Sequence, residues 1–221
     1  TINVPKDFGK KMFNLTNTFI AHAYNKAFKQ HGPNPRASFW SSSFRQNLRF
    51  EIITNELTKI SKNNSVSICD LGCGYGAYCN FLSGKSVPKI SNYIGVDLSK
   101  EVINYCKSSI NYEWATFACG YQPPYKVDFT ILSGTLNYAV TDRVELWEKQ
   151  VLNCLEKCWE KSCVSLIFNL QVCKNVSWIS DDKIYFAEPN RMKEICENKF
   201  GKTTYISNTL LPDDGTFVVL R

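Results

Sequence analysis

Hydrophobic and polar positions follow two different periods along this chain. In the first part, apolar residues recur at helical intervals and predict helices over residues 10–30 and 41–62, separated by a segment with two prolines and a glycine. In the second part, short β-branched and apolar runs alternate with amphipathic segments, which is typical of a buried parallel sheet covered by helices. We therefore expect a helical cap in residues 1–62 and an α/β domain in residues 63–221.

Several extended runs in the second part predict the strands of this sheet. Those apolar enough to be buried parallel strands are 66–71, 93–97, 114–119, 127–133 and 164–168. Two later runs, 203–210 and 216–220, lie on either side of Pro212-Asp213-Asp214-Gly215. Proline, aspartate and glycine favour turns, so this pair predicts a closing antiparallel hairpin with its turn at those four residues.

A glycine-rich stretch follows the first predicted strand. Glycine permits a sharp turn and a close approach of the backbone to a ligand, and the helix that follows offers free N–H groups. Gly72-x-Gly74-x-x-Ala77 fits the dinucleotide fingerprint of NAD and FAD proteins. With Asp70 included, however, an acid at the strand tip precedes glycines at alternate positions, ending at Gly76. A carboxylate there would face the pyrophosphate of NAD with the wrong charge, which favours a different nucleoside cofactor.

The second predicted strand ends in an acid about 20 residues past the glycines, the spacing of a ribose-binding carboxylate. Asp97 would accept hydrogen bonds from both ribose hydroxyls, and Leu98 would lie beside the base. Ser99 is a good N-cap for a helix over Lys100 to Ser109. The alternative for Asp97 is a solvent-facing turn acid, which its position makes a poor explanation.

The acid and glycines of residues 70–76, taken with Asp97, resemble motif I and the ribose site of class I S-adenosylmethionine-dependent methyltransferases. The resemblance covers Ser65 to Arg221 well and the N-terminal helices more loosely. It implies an α/β fold, with a Rossmann-like doubly wound seven-stranded sheet, an antiparallel C-terminal hairpin and an N-terminal helical cap. It also implies S-adenosyl-L-methionine as cofactor and methyl transfer to oxygen or nitrogen of a small-molecule acceptor.

The resemblance further implies a set of cofactor-binding residues, although it identifies no catalytic residue. The set is Trp40, Arg49, Asp70, Gly72, Cys73, Gly74, Gly76, Asp97, Leu98 and Ser133. Trp40 and Arg49 would close over the methionine end, where a guanidinium fork matches the cofactor carboxylate. An ordinary amphipathic helix with a solvated arginine is an equal alternative. Ser133 would lie at the tip of the fourth strand, which faces the transferring methyl group.

Two parts of the predicted site remain open. The family often places an acid near the end of the third strand to meet the adenine amino group, and Cys119-Gly120 occupies that place here. The source of the adenine contact is therefore not identified. The insertion 169–187, with its aromatic residues, is expected to line the acceptor pocket, although aromatic residues are equally common in a core.

Composition excludes several other function classes. A net charge of +6 over 221 residues without a long basic run does not predict nucleic-acid binding. No apolar stretch approaches the ~18 residues that span a bilayer, and we expect a cytoplasmic protein with no membrane partner. The ten cysteines form no CxxC pair, and with two histidines they predict free thiols and no metal site. The default interpretation of Cys73 is a small loop residue, and its place near a helix N-terminus makes a reactive thiol the alternative.

Two alternative functions accompany the methyltransferase interpretation. An NAD-dependent dehydrogenase should carry a catalytic His, Tyr or Lys set on the nicotinamide side, and no such set is identified in the sequence. A cofactor-binding partner subunit without catalytic activity would keep the glycine stretch and Asp97. The acceptor and the oligomeric state do not follow from the sequence.

Overall fold

The computed structural model describes residues 6–34, 42–62 and 64–221, with side chains of the first helix described from residue 16 onwards. The helices are α1 Lys6–His31, α2 Ser43–Ser61, α3 Ala77–Ser83, α4 Lys100–Ser109, α5 Val144–Lys161 and α6 Pro189–Lys199. The strands are β1 Val66–Leu71, β2 Ile90–Asp97, β3 Ala115–Cys119, β4 Val127–Leu132, β5 Ser162–Val172, β6 Trp178–Ile179, β7 Tyr185–Ala187, β8 Thr203–Asn208 and β9 Leu211–Leu220. No helix within these residues has the length and apolar character needed to cross a bilayer.

The strands form one twisted sheet in which the predicted doubly wound topology is confirmed. Strands β3, β2, β1, β4 and β5 are parallel neighbours in that order. Strand β9 then pairs antiparallel with β5, and β8 pairs antiparallel with β9. These seven strands are the predicted sheet with its closing hairpin. The short strands β6 and β7 add a small extension where β7 pairs with the end of β5.

Helices cover both faces of the sheet because the parallel strands are apolar on both sides. One buried cluster packs α5 and α6 against the sheet and includes Trp147, Val151 and Met192. The other packs α2, α3 and α4 against the opposite face and includes Ile53 and Tyr78. Helix α2 therefore belongs to the same core as the strands. The division of the chain at residue 62 stays a prediction.

Local start signals mark two helices, and the one at Ser99 was predicted from the sequence. The side chain of Ser99 accepts a hydrogen bond from the Val102 N–H at 3.1 Å, and α4 has the predicted bounds. Helix α6 begins at Pro189, with the Glu188 carboxylate accepting from backbone N–H groups of the first turn. Both signals act within one helical turn, so distant parts of the chain do not alter them.

The predicted turn of the closing hairpin is wrong. Residues 212–215 lie inside β9, and the chain reverses at Thr209 and Leu210 instead. Asp214 and Gly215 pair with Gln171 and Leu170 of β5, so sheet pairing outweighs their local preference for a turn. Asp214 is thereby buried at the centre of the fold.

Candidate functional site

A cleft of about 1150 Å³, counting its open mouth, lies at the carboxyl edge of the parallel strands. Its floor is formed by the residues at and after the ends of β1, β2, β3 and β4. Helix α1 covers it with residues that include Asn17 and Tyr24, and α5 forms one wall. Parallel strands place all their carboxyl ends at one edge, which is why residues distant in sequence meet here.

The glycines of the turn after β1 are required by the protein around them. Gly72, Gly74 and Gly76 have φ angles of 79°, 52° and 79°, in the left-handed region that disfavours other residues. A Cβ on Gly72 would lie 2.4 Å from Thr135 Oγ1, and one on Gly76 would lie 2.3 Å from Ile110 Cδ1. Close packing of neighbouring side chains therefore explains two of the three glycines without a ligand.

Asp97 ties the end of β2 to this glycine turn. One carboxylate oxygen accepts from the Gly74 N–H at 3.0 Å and the other from the Ser99 N–H at 2.9 Å. Burial raises the pKa of Asp97, and these backbone hydrogen bonds oppose the rise. The carboxylate lines the cleft together with Leu98, and their contacts with a ribose and a base stay predictions. Each oxygen has a second lone pair, so Asp97 retains the capacity to accept from ligand hydroxyls.

Asp70 lies deeper, at the end of β1. It is buried, and it accepts a hydrogen bond of 2.6 Å from the Tyr93 hydroxyl while lining the cleft. Burial raises the pKa of Asp70 to about 7, the Tyr93 hydrogen bond opposes this, and Asp97 adds to it. The carboxyl group is therefore poised to ionise near neutral pH when a cation approaches.

Cys73 lines the cleft but is not a reactive thiolate. Its side chain is buried beneath the glycine turn, where its thiol donates to the Gly74 carbonyl. The Cys106 thiol donates to the same carbonyl at 3.3 Å. Burial, with Cys106 and the two carboxylates adding to it, raises the pKa of Cys73 well above its ordinary value. The alternative of a reactive thiol at this helix start is therefore wrong, because desolvation dominates. All ten cysteines are free thiols.

Ser133 lies in the cleft at the end of β4, as predicted. Its Oγ is buried and has no hydrogen-bond partner among the described residues. The loop after it is held in place, since the Gly134 N–H donates to Asn169 Oδ1 at 2.6 Å and Thr135 Oγ1 donates to the Leu71 carbonyl at 2.7 Å. A fixed loop with a hydroxyl that lacks a protein partner can receive a polar ligand group.

Arg49 has a different partner from the predicted one. Its side chain is fully buried and forms an ion pair with Asp214, with Nε donating to Oδ1 at 3.2 Å. Asn169 Nδ2 donates to the same carboxylate at 3.0 Å. Arg49 does not line the cleft, so its guanidinium fork holds α2 to β9 in place of the predicted contact with a cofactor carboxylate. The solvated-arginine alternative is excluded by the same burial. Trp40 lies outside the described residues.

Some cleft residues were missed by the sequence analysis. Helix α1 contributes Asn17 and Tyr24, and α5 contributes Trp147 and Gln150. A signal for Gln150 was present, because its position continues the apolar face that contains Trp147. Conversely, none of the described residues from 169 to 187 is among those lining the cleft, so the expected acceptor pocket in this insertion is not found. The described residues also contain no group of three or more His, Cys, Asp or Glu placed to hold a metal ion.

No family model matches the chain. The sequence is 27% identical over 155 residues, 68% of this chain and 88% of the relative, to Rv1506c of Mycobacterium tuberculosis, which carries the name of a methyltransferase.

Two solved structures illustrate the likeness of the fold. Magnesium protoporphyrin IX methyltransferase from Synechocystis PCC 6803, with bound S-adenosylhomocysteine, superposes with a TM-score of 0.65 at 12% identity, covering 93% of this chain and 99% of that chain. A S-adenosylmethionine-dependent methyltransferase from Leishmania major superposes with a TM-score of 0.66 at 13% identity, covering 90% and 82%. By its sheet order and these superpositions, this chain has the Rossmann-like fold seen in S-adenosylmethionine-dependent methyltransferases, and its sequence is similar to that of a protein named as a methyltransferase.

Proposed function

We propose that this chain binds S-adenosylmethionine in the cleft and transfers the methyl group to an oxygen or nitrogen of a small-molecule acceptor. The observation that carries the proposal is the meeting of Asp70 and Asp97 with the glycine turn in one cleft. A nucleoside fits Asp97, whose oxygens accept from the turn and have lone pairs to spare for hydroxyls. The methionine end of the cofactor then extends toward Asp70.

The charge of the cleft supports this cofactor over a dinucleotide. Asp70 and Asp97 are the carboxylates of the lining, and no Lys, Arg or His is among the lining residues in the described part of the chain. A sulfonium and an ammonium group would neutralise these carboxylates. The pyrophosphate of NAD would instead meet two like charges without a compensating cation, which costs free energy in a partly buried site.

The residues also suggest how the protein assists the transfer. Bound S-adenosylmethionine supplies a methyl group already activated by the positive sulfur. The protein's part is to align the acceptor, and positioning of this kind contributes up to ~7–11 kcal/mol in favourable cases. Ser133 Oγ, which lacks a protein partner among the described residues, is placed to hold a polar group at the β4 tip. Helix α1 covers the cleft and limits the entry of water.

Calorimetry with four ligands tests the cofactor. We expect S-adenosylmethionine and S-adenosylhomocysteine to bind and NAD and NADP not to bind. Tight NAD binding without S-adenosylhomocysteine binding would refute the proposal and favour the dehydrogenase alternative.

A product assay separates the enzyme from a catalytically inactive subunit. The protein is incubated with S-adenosylmethionine and sets of small phenols, carboxylic acids and amines, and the release of S-adenosylhomocysteine is measured. Release above the acceptor-free rate supports methyl transfer. Tight cofactor binding with no release for any acceptor class would favour the inactive subunit.

A further inference from the structure

The side-chain oxygen of Gln150, on α5, is buried without a hydrogen-bond donor among the described residues. This atom, Oε1, belongs to a residue that lines the cleft. A buried acceptor without a donor costs about 1–3 kcal/mol. Such an atom in a ligand cleft indicates that a ligand supplies the missing donor.

The position of α5 identifies which end of the cleft Gln150 faces. Lys157 of α5 lies over the ring of Tyr121, with 4.8 Å from Nζ to the ring centroid. Gln150, Cys154 and Lys157 are spaced by four and three residues, so they share one face of the helix. Gln150 and Cys154 both line the cleft, as does Tyr121, which follows β3. This face of α5 therefore borders the β3 end of the cleft.

The base of a bound nucleoside belongs at the same end. The Gly120 N–H donates to the Asp97 carbonyl at 2.9 Å, so the residues after β3 adjoin the proposed ribose carboxylate. If the ribose hydroxyls meet Asp97 and the 5′ carbon points to the glycine turn, the base extends away from that turn. The lining residues on that side are Leu98, Gly120 and Tyr121, and Lys157 of α5 lies over the Tyr121 ring.

The chemistry of an amide matches one base in particular. Adenine presents its N6 amino donor beside a ring-nitrogen acceptor, and glutamine can pair with both at once. A carboxylate can accept from the amino group but cannot donate to the ring nitrogen. At the end of β3, where an acid would otherwise be expected, the chain has Cys119 and Gly120, which offer no side-chain carboxylate.

We propose that Gln150 is the adenine-recognising residue of this protein, with Oε1 accepting from the N6 amino group and Nε2 donating to the adjacent ring nitrogen. The inference rests on the proposed cofactor. It assigns base specificity to a side chain of α5, the helix whose face borders the β3 end of the cleft.

The test compares two ligands in two proteins by calorimetry. The ligands are S-adenosylhomocysteine and its analogue with hydrogen in place of the 6-amino group. We expect the wild type to bind the analogue about 3- to 10-fold more weakly, the range of one buried hydrogen bond. Gln150→Leu should bind S-adenosylhomocysteine about 3- to 10-fold more weakly, and its affinities for the two ligands should become equal.

Gln46→Leu is the matched control. Gln46 is also a glutamine of the cleft lining, but its Oε1 already accepts from the Tyr75 hydroxyl at 3.0 Å. Any change in this variant should affect both ligands equally and leave the wild-type preference for the amino group. Gln150→Glu retains an acceptor at the same position, so it should retain that preference, which a packing role alone would not explain.

The possible results are distinguishable. If Gln150→Leu keeps the wild-type preference for the amino group, or if Gln150→Glu loses it, the assignment of Gln150 is overturned while the proposed cofactor stands. If the wild type binds both ligands equally, the amino group is not recognised and the assignment is likewise overturned. If the wild type does not bind S-adenosylhomocysteine, the proposed function fails and the assignment fails with it.

Discussion

Buried carboxylates in two regions of this molecule have opposite surroundings. On the β5 side of the sheet, Asp214 pairs with Arg49, and Glu148 of α5 receives two bonds from Arg191 at 2.5 and 2.7 Å. In the cleft, Asp70 accepts a hydrogen bond from the Tyr93 hydroxyl. The described residues that line the cleft include no cationic side chain. The same residue types are thus neutralised by the protein in one region and not in the other.

The pKa directions follow this difference. Burial raises the pKa of Glu148, but hydrogen bonds from Arg191 and Tyr185 outweigh burial and leave the pKa lowered. Burial raises the pKa of Asp70 to about 7, and its tyrosine partner does not compensate. Arg49 and Arg191 therefore compensate the charges of Asp214 and Glu148 within the protein. Asp70 has no such cation among the described residues that line the cleft, so its charge is open to compensation by a bound cation.

The largest expected effect is the loss of stability when the ion pair between Arg49 and Asp214 is removed. Asp214→Ala leaves the fully buried Arg49 without its carboxylate, and we expect the free energy of unfolding to fall by about 3–5 kcal/mol. Denaturant unfolding measures this loss. Asp213→Ala is the matched control, since the neighbouring side chain is exposed and should change stability by no more than about 0.5 kcal/mol. Equal stabilities of the two variants would contradict a structural role for the pair.

The next largest effect is the loss of cofactor affinity when Asp97 of the cleft is replaced. Asp97→Ala removes the carboxylate that would accept hydrogen bonds from the ribose hydroxyls of the proposed cofactor, and bonds to such a charged acceptor are worth roughly 1.5–3 kcal/mol. S-adenosylhomocysteine should then bind about 10- to 150-fold more weakly, as measured by calorimetry. Thermal unfolding without ligand serves as the control that the domain still folds. An unchanged dissociation constant would remove Asp97 from the site.

The pH dependence of ligand binding tests whether Asp70 lacks a cationic partner in the protein. A cationic ligand favours ionised Asp70, whose pKa without ligand is about 7, so binding at lower pH must displace a proton. The affinity for S-adenosylhomocysteine should therefore rise about 10-fold from pH 6 to pH 8. Asp70→Asn should flatten this profile, and calorimetry in two buffers should show less proton release. A wild-type affinity that is independent of pH would contradict the unpaired state of Asp70.

Asp70 and Glu148 should also affect stability with opposite signs. The raised pKa of Asp70 means that the folded state holds its proton longer, so its contribution falls as pH rises from about 4 to about 7. The lowered pKa of Glu148 contributes stability above about pH 4, which is lost as pH falls through the folded value.

The smallest expected effect is the change in stability when Arg191, the cationic partner of Glu148, is replaced. Arg191→Met should cost about 1 kcal/mol or less at pH 7, because Arg191 is 52% exposed and solvent screens the pair. The loss should disappear as pH falls through the lowered pKa of Glu148 and the carboxylate becomes protonated. Lys193→Met is the control on the same helix, where the exposed pair with Glu197 should contribute less. A loss that does not depend on pH would indicate packing in place of charge.

Sequence reasoning succeeded where the physical signal is local. The glycine turn, the acid at the end of β2 and the Ser99 cap each lie within a few residues of the structure they specify. The order of parallel strands followed from the resemblance to a known fold. The closing hairpin was predicted, but its turn was misplaced by a few residues.

The failures concern partners that lie far apart in the chain. Arg49 and Asp214 are separated by 165 residues, and neither the periodicity of α2 nor the turn propensity of residues 212–215 contains any sign of their pairing. Asn169 links the same carboxylate to the loop after β4, again across the sheet. Arg49 was correctly expected to bind a carboxylate, but that carboxylate belongs to Asp214 and not to a cofactor.

The fold class and the glycine turn with its two strand-end acids could be predicted from the sequence, since the hydrophobic period, glycines and acids are properties of neighbouring residues. Which buried charges are paired and which face the cleft depended on the tertiary structure. It also brought α1 and Gln150 to the cleft and kept the insertion after β5 out of the lining. The physical reason is that burial and pairing depend on which elements pack together, and that packing is set by the whole sheet.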